Sequence, residues 1–321
     1  MMGNALEGKV AVVTGGGRGI GRGVSLLLAS EGARVVVNDY GVAVDGSQPS
    51  DDPAAEVAAE IRAAGGQAVP NFDSVATMEG GETMIKQALD EFGRLDIVVN
   101  VAGILRDRMV FNMTEEEWDN VVAVHLKGHF TTTKPASIIM RQQRSGRIIT
   151  FTSGSGLRGS SGQANYGAAK AGIAGFTRVI ARDLGRYGVT CNSISPGAQT
   201  RMTATVPQSA REARSARGIA TNPAAAQQAE RRPEQVAPMV AYLCTDDAWN
   251  INGQIFAVSG GTVSLLYHPT PYRTIFKEGT WTLDELQRIV PAQLMSGVEN
   301  PAPPPVDLDI PGRARPAAAS A

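Results

Sequence analysis

A doubly wound α/β fold on a parallel sheet of seven strands is the architecture this sequence predicts, as a single domain with a C-terminal extension. Short β-branched runs alternate with longer amphipathic segments, the pattern of parallel strands connected by helices. The first run leads straight into a glycine-rich turn and then a helical stretch. A length of 321 residues, 43% of them apolar, suffices for one large core of this kind.

The expected strands are 9–14, 33–38, 67–70, 95–100, 147–151, 189–195 and 254–258. Between them, 20–30 keeps Val24, Leu27 and Leu28 on one helical stripe. Segment 114–140 opens on Thr114-x-x-Glu117, a capping box, and reads as one long helix. Segment 164–187 reads as another, with Asn165 near its start and Gly188 as its stop. Three regions break the alternation. Residues 41–53 form a polar loop, and 203–232 are rich in Ala, Arg and Gln, where a lid over a substrate is expected. Beyond Thr262, 283–294 is expected to form a short helix capped by Thr282 and Glu285. The Pro/Ala-rich 300–321 is expected to be extended or mobile. The domain limits that follow are 6–262 and 263–321.

The bulk numbers exclude several classes. A net charge of −1 offers no basic stripe for nucleic acid. Cys191 and Cys244 are the two cysteines; they belong to no metal-ligand spacing, and buried free thiols in a reducing compartment are expected. Residues 1–8 lack the basic and apolar regions of a signal peptide, and no stretch approaches the ~20 apolar residues of a membrane span, so a cytoplasmic place is expected.

The first strand ends in Thr14-Gly15-Gly16-Gly17-Arg18-Gly19-Ile20-Gly21. Strand, glycine turn and helix start together make a phosphate site, because glycines admit a pyrophosphate close to the backbone. The helix start adds free N–H groups and partial positive charge. The G-x-G-x-x-G fingerprint is absent, and T-G-x-x-x-G-x-G stands in its place in the first βα unit. Asp39 ends the second strand, 18 residues after Gly21, where a carboxylate accepts hydrogen bonds from the ribose hydroxyls of a dinucleotide. It also repels a 2′-phosphate, which favours NAD over NADP. Arg18 points mildly the other way, since a guanidinium in this loop suits that phosphate. Asp73, followed by Ser74 after the third strand, is placed either to hold the adenine amino group or to cap a turn.

Tyr166 and Lys170 are spaced i and i+4, which puts phenol and ammonium on one helix face. A free tyrosine, with a pKa near ~10, is a poor base at neutral pH. The ammonium, with the charge of an oxidised nicotinamide, is expected to lower that value. Thirteen residues before Tyr166, Ser153 sits at the tip of the fifth strand, where ligands gather in parallel sheets. Its hydroxyl is suited to hold a substrate oxygen. Ser155, Ser160 and Ser161 are the nearby alternatives.

These motifs, with Asn100-Val101-Ala102-Gly103 and Ser195-Pro196-Gly197, resemble the short-chain dehydrogenase/reductase superfamily in order and spacing over 6–262. The resemblance implies a Rossmann-type fold, and hydride transfer between NAD(P) and a secondary alcohol. It makes Ser153, Tyr166 and Lys170 catalytic. It gives Gly15, Arg18, Gly19, Ile20, Gly21, Asp39, Asp73, Ser74, Asn100, Ala102, Gly103, Tyr166, Lys170, Pro196 and Gly197 to the cofactor. No metal is implied. Two positions depart from the common pattern: Val101 replaces the second Asn of N-N-A-G, and His125 stands where an asparagine usually holds a water linked to the lysine. A histidine can also donate and accept, so His125 is either part of that relay or a structural helix residue; His129 and His268 read as structural.

Local strings narrow the resemblance. Residues 37–41, 103–108, 124–128, 162–166 and 201–203 are similar to the (3R)-hydroxyacyl-CoA dehydrogenase unit of peroxisomal multifunctional enzyme type 2, a branch that also carries His at position 125. It implies NAD and a (3R)-3-hydroxyacyl-CoA substrate, with a steroid-derived acyl chain or a hydroxysteroid as variants. Arg106, Arg108, Arg211, Arg214 and Arg217 are candidates for the CoA phosphates, or members of a solvated charged face. The rivals are an NADPH-dependent 3-oxoacyl or carbonyl reductase and, from another class, a catalytically inactive NAD-binding sensor. A homodimer or homotetramer is expected through the two long helices, where Ala171, Gly172, Ala174 and Gly175 allow close approach.

Overall fold

In the computed structural model, residues 3–47, 53–197 and 232–304 are described. The lid region up to residue 231, with Arg211, Arg214 and Arg217, and the tail from 305 onward lie outside the described residues. The chain divides into two compact units, one holding the described residues up to Tyr267 and the other those from His268.

The first unit is built on one sheet. Strands β1 (Val10–Thr14), β2 (Arg34–Asn38), β3 (Gln67–Asn71), β4 (Ile97–Asn100), β5 (Gly146–Phe151), β6 (Val189–Pro196), β7 (Ile255–Ser259) and β8 (Thr262–Leu266) lie in the order β3-β2-β1-β4-β5-β6-β7-β8. The seven expected strands are all present, and those seven run parallel. The count is eight rather than seven. β8 returns antiparallel beside β7 through Gly260 and Gly261, with Gly260 in the left-handed region at φ +56°. A two-glycine link between β-branched runs is a hairpin signal, and it extends the sheet past Thr262.

Alternation along the strands separates two helical layers. Ala11, Val13, Val35, Val37, Ile97, Val99 and Ile149 face α1 (Gly19–Ser30), α2 (Pro53–Ala63) and α8 (Ala237–Cys244). Val10, Val12, Val36, Val98 and Ile148 face the other layer, α3 (Met78–Phe92), α5 (Gly128–Gln143) and α7 (Ala164–Gly185). A side-chain period of two, buried on both faces, is why these strands read as continuous Val/Ile runs. Cys191 and Cys244 are buried free thiols in these layers, and burial pushes both thiols up, Cys244 to about 12.

The helix expected over 114–140 is not uniform. The capping box forms, Glu117 N–H donating to Thr114 Oγ1 at 3.1 Å and Thr114 N–H to the Glu117 carboxylate at 3.0 Å. It starts α4 (Glu115–Val122), after which a π turn (Ala123–Lys127) precedes α5. One wider turn re-aims His125, and no hydrophobic period records it. The helix expected over 164–187 ends sooner, at Gly185 with Arg186 as its C-cap, and Gly188, at φ +76°, closes the turn that follows by donating to the Gly185 carbonyl at 3.0 Å. In the second unit, Thr282 and Glu285 cap α9 (Leu283–Ile289), which continues into a π turn (Val290–Leu294). Lys277 Nζ meets the Glu285 carboxylate at 2.6 Å.

Candidate active site

The strand order reverses between β1 and β4, and the candidate residues gather at the C-terminal ends of β1, β4 and β5, the position where open α/β sheets bind ligands. The glycine turn after β1 is tight against its surroundings. A Cβ on Gly15, at φ +62°, would lie 2.8 Å from Ala102 Cα, and one on Gly21 would lie 2.0 Å from the Gly15 carbonyl oxygen. Gly19 has φ +51° with nothing within 4 Å of a Cβ, and Ile20 is buried in the core beneath. Arg18, at the N-cap of α1, provides no side-chain cap to the helix. A cradle that only glycine fits, opening on an uncapped helix start, suits a dinucleotide pyrophosphate.

Asp39 and Arg18 flank this turn. The Asp39 carboxylate accepts from Gly17 N–H at 3.1 Å and from Gly41 N–H at 2.9 Å, and Arg18 donates to the Val42 carbonyl at 3.0 Å. Asp73 belongs to a polar cluster: its carboxylate accepts from Asn71 at 2.8 Å, and its own N–H donates back to Asn71 Oδ1 at 3.0 Å. Ser74 Oγ accepts from Ala76 N–H at 3.2 Å, closing the next turn.

Across the switch point, Thr14 Oγ1 accepts from the N–H groups of Val101 and Ala102, at 3.1 and 3.3 Å. Asn100 Oδ1 accepts from Thr132 at 2.7 Å, while its buried Nδ2 has no protein partner. Gly103 has no room for a side chain, since its Cβ would lie 2.2 Å from His125 Cε1. At the end of β6, the Gly197 N–H donates to Val258 at 2.7 Å, and a Cβ on Gly197 would lie 2.6 Å from Ser259 Oγ, so Pro196 and Gly197 are held against β7.

Ser153, Tyr166 and Lys170 converge. Ser153 caps α6 (Gly154–Arg158), its Oγ accepting from Ser155 N–H at 3.2 Å, and its hydroxyl faces the Tyr166 phenol, whose ionised form it favours. Lys170 Nζ lies 5.5 Å from the centre of the Tyr166 ring and donates to the Phe151 carbonyl at 2.6 Å. His125 meets the Tyr166 ring edge-on, centroids 5.0 Å apart at 86°. Its Nε2 lies 2.8 Å from the Ile104 carbonyl and 3.1 Å from the Ile104 N–H, and its Nδ1 is buried without a protein partner.

Burial dominates the electrostatics. It holds Lys170 down to about 7 and His125 well below its ordinary range, the latter helped by the Lys170 charge. Tyr166 is pushed up, not down: burial raises it most, the Ser153 hydroxyl lowers it, and the Asp107 charge raises it. The lowering expected from Lys170 is absent in the chain alone: burial brings Lys170 to about 7, so it has lost its charge before the phenol titrates, and desolvation of the phenolate dominates. A hydroxyl, a phenol and a perturbed ammonium on one face are nonetheless a set able to exchange a proton with a bound oxygen.

Two features escaped the sequence reading. Asn165, wholly buried, donates to the carbonyls of Arg106 and Glu117 and accepts from Tyr166 N–H, fixing the start of α7. Ser155 Oγ donates to Gln163, and Gln163 to Asp107, a chain of 2.7 and 2.8 Å beside Ser153. The 162–166 string, already singled out, was the available signal for both. The arginines nearest the site are engaged: Arg106 donates to the Asp45 carbonyl at 2.8 Å and lies 3.6 Å from Glu116, and Arg108 pairs with Glu117 at 2.8 Å. Both ion pairs are at the surface, where such pairs are weak.

Residues 9–211 match the family model of the short chain dehydrogenases. The chain is 43% identical over 290 residues to the hydroxyacyl-CoA dehydrogenase ChsB1 of Mycobacterium tuberculosis, covering 88% of this chain and 87% of that protein. It is 43% identical over 261 residues to mouse peroxisomal multifunctional enzyme type 2, covering 81% of this chain and 33% of that protein. A crystal structure of a short chain dehydrogenase from Mycobacterium avium aligns with a TM-score of 0.76 at 43% identity, covering 94% and 98% of the two chains. A family match over well more than half of the sequence, on a sheet whose switch point carries the family's motifs, makes this chain a member of the short-chain dehydrogenase family.

Proposed function

We propose that this chain oxidises the secondary alcohol of a (3R)-3-hydroxyacyl-CoA with NAD, and that Ser153, Tyr166 and Lys170 carry the proton chemistry. The observation that carries the reading is the convergence of the three: the Ser153 hydroxyl beside the Tyr166 phenol, with Lys170 over the phenol ring. When bound, oxidised nicotinamide supplies the carbon that accepts hydride and a positive charge beside the phenol. Ser153 Oγ holds the substrate oxygen, Tyr166 takes its proton, and Lys170 stabilises the phenolate. The burial that raises Tyr166 also excludes water, which strengthens each of these interactions. His125 joins as the relay group behind Lys170. Its edge-on contact with Tyr166 and its unpartnered Nδ1 support that place, and its depressed basicity keeps it neutral.

The cofactor is held by the turn Gly15–Gly21 with Arg18, Gly19 and Ile20, by Asp39, Asp73 and Ser74, and by Asn100, Ala102, Gly103, Pro196 and Gly197. The Asn100 amide, buried with no protein partner, supports a ligand at this position. Asp39 supports NAD, its carboxylate standing beside Gly17 N–H where a 2′-phosphate would meet like charge. Arg18 at the same mouth is the observation favouring the second reading, an NADPH-dependent 3-oxoacyl or carbonyl reductase. The likeness to a hydroxyacyl-CoA dehydrogenase over most of its length supports the acyl-CoA, with a steroid-derived acyl chain as a variant. We place the catalytic machinery in 6–262, with 263–321 as an extension whose first residues complete the sheet. We further infer a homo-oligomer in the cytoplasm; among the described residues no helix is long and apolar enough to cross a membrane.

The test is NADH formation by purified protein with 3-hydroxyacyl-CoA esters of each C3 configuration, and with a hydroxysteroid. Turnover confined to the (3R)-acyl-CoA is expected; turnover of the steroid alone, or of neither, would overturn the substrate assignment. Asp39→Ala is expected to lower the ratio of NAD to NADP efficiency by about tenfold or more. An unchanged ratio would remove Asp39 from the cofactor argument.

A further inference from the structure

The C-terminal end of β5 is where Lys170 is anchored. The last paired residues of β4 and β5 are Val99 and Ile149. Beyond them the chain at Val101 turns away toward Thr14, and the Phe151 backbone is taken by side chains. The Phe151 carbonyl accepts from Lys170 Nζ at 2.6 Å, and the Phe151 N–H donates to His129 Nε2 at 3.3 Å. The other ring nitrogen of His129, Nδ1, lies 2.6 Å from the His125 carbonyl within the π turn. One turn along the same helix, Thr132 donates to Asn100 at the end of β4. The first turn of α5 therefore binds the ends of both central strands.

From this geometry we infer that His129 is a positioning residue for Lys170, fixing through its two ring nitrogens the Phe151 backbone that anchors the ammonium and the π turn that aims His125 at Tyr166. The reading rests on the assignment of Lys170 and Tyr166 made above. Only one protonation state satisfies both bonds. A carbonyl only accepts, so Nδ1 carries the proton. A backbone N–H only donates, so Nε2 must be bare. A charged imidazole would set an N–H against the Phe151 N–H. Burial, aided by the Lys170 charge, holds His129 down to about 3, so the neutral ring persists throughout the working range of pH. The titratable groups facing Lys170 in this cluster are His125, His129 and Tyr166, and the Asp107 carboxylate acts on the phenol from the segment before α4. Neither histidine is charged at neutral pH, so the acidic limb of the activity profile belongs to the Tyr166–Lys170 pair under the field of Asp107.

Asparagine and glutamine separate the two bonds, because an Asn amide reaches about as far as Nδ1 and a Gln amide about as far as Nε2. His129→Leu removes both, leaving the Phe151 N–H buried and unsatisfied. For His129→Leu, kcat is expected to fall between about 10- and 100-fold, with the acidic limb of kcat/KM displaced to higher pH as the phenolate loses support. His129→Gln, which keeps an acceptor for the Phe151 N–H, is expected to restore the profile, and His129→Asn is not. A lowered Tm with the pH limb unmoved in Leu and Asn variants, or a Gln variant behaving like Leu, would overturn the inference. Nitrogen-15 NMR of histidine-labelled wild type gives a reading that no misfolded variant can obscure. Protonated Nδ1 and bare Nε2 at His129, unchanged across neutral pH, are expected; the opposite tautomer or a titration near neutrality would sink the proposal. A Tyr166→Phe variant that keeps its turnover would instead overturn the parent assignment and leave the tautomer result standing.

Discussion

At the scale of single residues, the site places charge and hydroxyl chemistry where water has been removed. Lys170 is 3% exposed, and its Nζ donates to the Phe151 carbonyl. Burial brings it to about 7 from the ordinary 10.5, so between those values the unfolded chain binds more protons than the folded one. Stability contributed by this group therefore rises with pH through that window, and below pH 7 its full penalty applies. Replacement by an apolar side chain of similar length relieves the penalty. Lys170→Met is expected to melt above wild type near neutral pH, with the difference shrinking toward about pH 9.5. Scanning calorimetry across that range decides it, and a difference that stays flat or widens with pH would contradict the assigned burial cost. Tyr166 is the complementary case. Tyr166→Phe removes the hydroxyl that faces Ser153 and leaves the ring against His125. Turnover is expected to drop by about 10³-fold or more, within the range of general acid–base catalysis. NAD affinity by titration calorimetry should hold within about threefold of wild type. Comparable losses in both measurements would mean that the phenol supports structure rather than proton transfer.

Elements decide how these side chains meet, and here the sequence was legible in some places and opaque in others. Strands could be read because burial on both faces leaves continuous Val/Ile runs, and Thr114 and Glu117 announced the start of α4. The convergence of Ser153, Tyr166 and Lys170 was legible from a strand end and an i, i+4 pair. Three features were not. β8 follows a Gly260-Gly261 turn whose signal is short, and its side chains are largely exposed, so no buried period marks it. The π turn at Ala123–Lys127 leaves no periodic trace, because packing of His125 beneath Gly103 accompanies it rather than local propensity. The rise of Tyr166 was hidden because desolvation depends on what covers a residue in three dimensions. The packing of Gly103 on His125 is itself testable. Gly103→Ala sets a methyl carbon 2.2 Å from His125 Cε1, too close for either to stay in place. Overpacking of this kind costs about 1–3 kcal/mol, and the displaced ring should take kcat down with Tm. An alanine variant with wild-type Tm and activity would show that the π turn yields freely.

On the scale of the first unit as a whole, the layer formed by α3, α5 and α7 leaves apolar side chains uncovered. Phe130 and Ile138 on α5 are each 45% exposed, and Val179 on α7 is 54% exposed. Of the four small residues expected to allow close approach, Ala174 is buried within the chain itself and Gly172 packs on Leu126, so neither serves. Ala171 and Gly175 remain, and with Ala168 and Val179 they recur at helical spacing along α7, with open space around a Cβ at Gly175. Small residues beside large apolar ones allow two helix pairs to approach closely across a two-fold axis, the commonest closure for identical chains. The proposed self-association therefore runs through this face. Because Phe130 and Val179 are exposed in one chain, replacing them with glutamate disturbs its core little, whereas in an interface it buries unpaired charge. Wild type is expected to sediment as a dimer or tetramer at micromolar concentration, and the Phe130→Glu, Val179→Glu double variant as a monomer with the same circular dichroism. A wild-type monomer would end the proposal outright. A double variant that sediments like wild type would leave self-association intact and move it off these helices, and β8, with Val263 52% and Leu265 62% exposed at the sheet edge, is the surface it would then have to use.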